Sequence, residues 1–130
     1  MADANNDLTG VWRSTYRYTS SSRDGEFTSE HFVRLKRQGT SLVLESLPRD
    51  SRSYLLIRMS LQGNIATGSW QEETDPHGYY KGAVYHGAIQ MVVHDDGKKM
   101  RGKWLGYSKD MKINVGPWEL AYVGDTAPAH

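Results

Sequence analysis

Side chains alternate in character with a period of two along most of this chain, and no apolar stripe recurs at the 3.6-residue spacing of a helix. Segments rich in Val, Ile, Tyr, Trp and Thr, separated by glycine turns, predict eight strands. They are Val11–Thr19, Thr28–Arg37, Ser41–Leu47, Ser53–Leu61, Asn64–Thr74, Tyr80–His94, Lys99–Ser108 and Lys112–Val123.

The connections alternate in kind. "RQGTS", "LQGNI" and "HDDGKK" are tight glycine turns, while "TSSSRDGEF", "LPRDSRS", "TDPHGYY" and "SKDMKIN" are longer and polar. In a meander, successive turns lie at opposite ends, so the tight turns collect at one end and the long loops at the other. That asymmetry predicts an all-β, eight-stranded antiparallel up-and-down barrel with a floor and a mouth. A two-sheet sandwich is the competing arrangement.

Alternation also assigns the faces. In the first strand Arg13 and Arg17 belong in water, which turns Trp12, Ser14, Tyr16 and Tyr18 inward. The same argument turns Phe27, Ser29 and His31 inward on the second strand, Ser46 on the third, Trp70 and Glu72 on the fifth, Tyr85 on the sixth and Asn114 on the eighth. His86 and His94 point outward. The polar inward positions, with Ser108, all fall toward the long-loop end. A barrel mouth lined by hydroxyls, an imidazole and a carboxylate over an apolar floor is a common setting for a ligand. Polar residues at a rim that touches water also need no function. The candidate ligand-binding residues are Tyr16, Tyr18, His31, Trp70, Glu72, Tyr85 and Asn114. The ligand expected is a small, partly apolar molecule, held by stacking on the tyrosines and Trp70 and by hydrogen bonds from His31, Glu72 and Asn114.

Each of the four tryptophans stands two residues after a glycine: "GVW", "GSW", "GKW" and "GPW". Glycine and indole then share a face, and the glycine is expected to leave room for the ring and let the strand bend. Trp12, Trp104 and Trp118 are expected to meet near the floor, with Trp70 higher in the barrel. A first strand opening with G-x-W in a meander of this length resembles the calycin superfamily, and "LTGVW" and "ATGSW" are similar to T-G-x-W segments of avidins. That resemblance implies a calycin-like barrel of lipocalin or avidin type. Over nearly the whole chain, "GVWRSTYRYTSSSR", "GYYKGAVYHGAIQMVV" and "GKWLGYSKDMKINVGPWEL" resemble an uncharacterised β-rich domain of actinobacterial proteins, often carried behind a helix-turn-helix or signalling module. This implies a cytoplasmic sensor or accessory domain, and it transfers no catalytic residue. The chain carries no helix-turn-helix, so a regulatory role needs a fused or partner domain.

Composition narrows the picture further. At 130 residues the chain suits one domain, expected over 8–123, with residues 1–7 and 124–130 as disordered tails. There is no cysteine, no basic-then-apolar leader pattern and no apolar run of membrane-spanning length, which together read as a cytoplasmic protein with no membrane partner. Sixteen basic against fifteen acidic residues point to no particular partner and argue against nucleic acid. Arg34, Lys36 and Arg37, with Lys98, Lys99, Arg101 and Lys103, could still form an outward basic strip for an acidic partner or a nucleic acid, although Glu45, Asp95 and Asp96 dilute it. His31 and Glu72 could form an acid–base pair across the lumen, which keeps a small barrel enzyme open, but Ser29 and Ser46 sit in no nucleophile motif. His77, His86 and His94 lack metal-site spacing, and no metal is expected. No cofactor follows from the residues; a haem inside the barrel would take His31 as its ligand. "TDPHGYYKG" reads either as a lid over the mouth or as a long hairpin connection.

Overall fold

The structure is a computed structural model that describes residues 8–19, 25–47, 53–75, 77, 82–107 and 111–126. It is built from β1 (Gly10–Thr19), β2 (Glu26–Gln38), β3 (Ser41–Ser46), β4 (Tyr54–Gln62), β5 (Ile65–Glu73), β6 (Val84–Val93), β7 (Lys99–Tyr107) and β8 (Ile113–Gly124). Each strand pairs antiparallel with the next, and β8 pairs with β1, so the sheet closes into a barrel. The sandwich is excluded by that last pairing. No helix among the described residues is long and apolar enough to cross a membrane.

The tight turns follow from glycine placement. Gly39 and Gly63 begin the two-residue links after β2 and β4, each at φ 62°, a backbone conformation that glycine adopts without strain. The sixth strand starts at Val84, later than the expected Tyr80, which itself lies outside the described residues. Beyond the Glu73–Val84 pair two more backbone bonds join the chain, Thr74 N–H to Ala83 O and Gly82 N–H to Asp75 O, and Gly82 at φ 76° leaves the extended region. The described part of that connection is therefore a hairpin. Its candidate lid residues Pro76, Gly78, Tyr79 and Tyr80 lie outside the described residues, as do Ser108, the expected tail at 1–7 and residues 127–130 of the tail expected at 124–130; Gly124 of that tail instead ends β8, paired with Val11.

Face assignment holds along β2 to β8 and for Arg13 and Arg17 of β1, whereas Val11, of the same parity as Arg13, is wholly buried beside the register shift at Val11/Trp12. Along β2 the exposed positions Glu30, Arg34 and Lys36 alternate with the buried His31, Val33 and Leu35. The lower lumen is filled by Leu35, Leu42, Leu44, Met59, Met91, Met100 and Leu120, all nearly inaccessible. Leu8 folds over the floor beside Trp12, whose indole N–H donates to the Leu8 carbonyl at 2.8 Å.

The tryptophans are arranged differently from the expectation. Trp12 makes its ring contact with Tyr122, 5.6 Å away and edge-on. Trp70, Trp104 and Trp118 gather higher up around Tyr16, with Trp118 stacked on the Tyr16 ring at 4.4 Å and Trp70 edge-on to Trp104 at 5.7 Å. Register is the cause: β1 and β8 pair Trp12 with Tyr122 and Tyr16 with Trp118, so the two indoles stand four residues apart along the barrel wall.

The glycines opposite Trp70 and Trp104 on the neighbouring strand make room for those rings. Trp70 pairs with Gly87, Trp104 with Gly116 and Trp118 with Gly102. Because β7 and β8 run antiparallel, "GKW" and "GPW" place each glycine opposite the other strand's indole. A Cβ on Gly87 would stand 2.9 Å from Trp70 Nε1, and one on Gly116 would stand 2.6 Å from Trp104 Nε1. Gly68 and Gly102 instead let their strands close on β4 and β6, since a Cβ at either would run into the Arg58 or Gln90 carbonyl.

Candidate functional site

Inward polar side chains converge where the filled lower lumen ends. Tyr16 on β1 lies opposite β5 in the closed barrel, and its hydroxyl donates to Glu72 Oε1 across the lumen. The Ser29 hydroxyl from β2 also hydrogen-bonds Tyr16. The other Glu72 oxygen lies 3.5 Å from His31 Nε2, and that nitrogen is hydrogen-bonded to Ser53 Oγ at 2.7 Å. Ser29, Tyr16, Glu72, His31 and Ser53 thus form one network spanning four strands' worth of wall. His31 is 1% exposed, and its Nδ1 has no hydrogen-bond partner among the described residues.

Burial, and after it the Glu72 charge, hold the Tyr16 hydroxyl well above the ordinary 10.0, with the Ser29 bond opposing. An unfolded chain releases that proton near pH 10, whereas the folded barrel keeps it. The contribution to stability is therefore complete below about pH 10 and is lost as pH rises from there toward the folded-state value. Urea unfolding between about pH 9 and pH 11 should show this decline in the wild type and a shallower one in Tyr16→Phe. Equal slopes would mean that Tyr16 is not the buried hydroxyl described.

The remaining sequence candidates border this network. Tyr18 is half-buried, 5.8 Å from the Tyr16 ring and stacked on Phe27 at 5.7 Å. Tyr85 pairs with Glu72 on the adjoining strand and is half-buried. Asn114, also half-buried, pairs with Gly106 near the end of β7. Trp70 sits below the rim in the packed cluster, 5% exposed, with its N–H directed to the Leu105 carbonyl at 3.2 Å. Two further residues belong here. Phe27 extends the aromatic wall, and Ser53 occupies His31. Ser53 has the same parity as the inward Leu55, and that parity was a signal in the sequence.

The geometry weighs on the other chemistries. Ser53, His31 and Glu72 bring together a hydroxyl, an imidazole and a carboxylate, but both partners meet Nε2. A charge-relay arrangement needs them on opposite ring nitrogens, so no activated nucleophile is formed. His31 also fits haem ligation poorly: its Nε2 is committed to Ser53, its ring is inaccessible, and Trp70, Trp104 and Trp118 fill the lumen below. Among the described residues, no group of three or more His, Cys, Asp or Glu is placed to hold a metal.

The outward basic residues do not form one strip. Arg34 and Lys36 lie on β2, Lys99, Arg101 and Lys103 on β7, and β8 and β1 run between them. Glu45 pairs with Arg34 and Glu119 with Arg101. Beside Arg34 and Lys36, with Thr9, Gly10 and Asp125, there is an open groove of about 420 Å³ at the floor end. Compared with protein-family profiles, with curated proteins and with solved structures, the chain matches none.

Proposed function

We propose that this barrel is a small-molecule-binding domain whose ligand enters at the long-loop end and rests on the Tyr16–Glu72 bridge. One observation carries the reading. Among the described residues, three of the four buried polar or charged ones, His31, Ser46 and Glu72, stand in the mouth half, and three aromatic rings there, Tyr18, Phe27 and Tyr85, remain partly accessible. A packed floor with a polar-and-aromatic upper lumen is what a barrel mouth needs to hold one small ligand. The closed eight-stranded meander is consistent with a calycin-like, lipocalin-type binder. In this reading the domain acts as a cytoplasmic sensor or accessory unit for a fused or partner regulatory module, as the resemblance to actinobacterial domains implies.

The groove beside Arg34 and Lys36 supports a second reading, an interaction module that takes an anionic partner on the outer face. One experiment separates the two. Calorimetric titration with 3-phenyl-1-propanol, an uncharged aromatic alcohol, should give saturable binding of one molecule per barrel. Tyr18→Ala with Tyr85→Ala should weaken it at least about tenfold, and Arg34→Glu with Lys36→Glu should leave it unchanged. The reverse pattern would move the site to the outer face.

A further inference from the structure

We propose that the mouth selects a small organic cation: an ammonium head set against Glu72, with an apolar body between Tyr18, Phe27 and Tyr85. This inference rests on the reading of the mouth as a ligand site and specifies the chemistry of its ligand.

Charge distribution across the barrel wall is the first observation. Glu72 is the sole buried carboxylate among the described residues. Every described lysine and arginine is exposed except Arg37, which is half-buried at the floor end and donates to the Gly39 carbonyl. Among the described residues, the mouth half of the lumen therefore carries a buried carboxylate with no lysine or arginine beside it. A buried carboxylate is costly unless it is paired and hydrogen-bonded. Glu72 has the Tyr16 hydroxyl on one oxygen, while its second oxygen is 3.5 Å from a histidine nitrogen already bonded to Ser53. Among the described residues that second oxygen has only the long His31 contact, and it is the natural seat for a donor with a positive charge.

The surroundings are the second observation. Tyr16, Tyr18 and Phe27 follow one another at 5.8 and 5.7 Å from the network toward the rim, and Tyr85 flanks Glu72 on the next strand. Aromatic faces attract cations through the ring quadrupole, and the attraction grows where water is displaced. A carboxylate together with several aromatic faces favours an amine over a neutral molecule. It disfavours an acid, which would bring a second negative charge into the same low-dielectric space.

Three probes of matched shape test this: 3-phenylpropylammonium, 3-phenyl-1-propanol and 3-phenylpropionate, each titrated calorimetrically into the wild type and into Glu72→Gln. In the wild type the ammonium should bind at least about tenfold more tightly than the alcohol, and the carboxylate more weakly than either. In Glu72→Gln the ammonium and alcohol should converge to within about threefold, with alcohol binding retained. The wild-type ranking stands as a test even if the variant fails to fold. If the alcohol or carboxylate binds as tightly as the ammonium, and Tyr18→Ala with Tyr85→Ala abolishes that binding, the cation inference falls and the mouth site survives. If none of the probes binds, or binding persists in the mouth variant, both fall.

Discussion

Gly87→Ala should destabilise the barrel by more than about 4 kcal/mol, enough to leave little folded protein in a domain of this size. The added methyl group would overlap the Leu105 carbonyl oxygen of β7 and press on Trp70 Nε1. Neither neighbour can yield cheaply. The carbonyl is held between two paired strands, and the indole is wedged among Tyr16, Trp104 and Trp118. Relief would require β6 and β7 to separate, and in a closed barrel that disturbance is passed around the sheet. The control is Gly39→Ala, at φ 62° with open space around it, where only the backbone strain of about 1–2 kcal/mol applies. Urea midpoints for the two variants measure the contrast. Similar losses at both sites would show that the β6–β7 approach is looser than described.

Trp118→Ala should cost about 3–5 kcal/mol, the usual range for emptying a large buried aromatic site. The ring is wholly inaccessible, stacks on Tyr16 at 4.4 Å, and donates to Ser14 Oγ at 2.8 Å. Truncation leaves a void in the middle of the aromatic cluster and also strands the Ser14 hydroxyl. Tyr16 would lose the surface that fixes its ring, and with it the aim of its hydroxyl at Glu72. Trp118→Phe keeps most of the stack and loses the indole hydrogen bond, so its cost should be smaller, about 1–3 kcal/mol. The near-ultraviolet circular dichroism of the coupled rings should collapse in the alanine variant and largely persist in the phenylalanine one. A loss below about 1 kcal/mol for Trp118→Ala would contradict the packing described.

Much of this architecture was legible from the alternation of residue character. Period-two patterning fixed which side of each strand faces in, because one slip would bury Arg13, Arg34 or Arg101. Turn chemistry fixed the up-and-down order, since a short glycine link can only join antiparallel neighbours. What alternation cannot supply is the stagger between strands. Trp12 was therefore expected beside Trp118, although its partner across β8 is Tyr122. The same limit hid the purpose of G-x-W: a glycine's usefulness depends on the residue opposite it, and pairing is a property of two strands.

The site divides along similar lines. Inward parity and position near the long loops singled out Tyr16, His31 and Glu72, and the trans-luminal contact of His31 with Glu72 follows once β2 and β5 belong to opposite walls. Trp70 shows what parity leaves out. It points inward as expected, but Gly87 and Gly106 open a slot that draws the ring down into the packed cluster. Ser53 opens the expected fourth strand with the parity of Leu55, but parity alone does not show that it reaches His31 from the position just before β4.

The most direct test of a ligand site in the mouth is native mass spectrometry of the purified protein, followed by denaturation to release and identify what it carries. The wild type should retain a small molecule with a basic nitrogen and an apolar body. Tyr18→Ala with Tyr85→Ala should be purified without it, and Arg34→Glu with Lys36→Glu should carry it as the wild type does. A molecule retained by the mouth variant and lost from the Arg34 and Lys36 variant would contradict the account and place recognition on the outer wall.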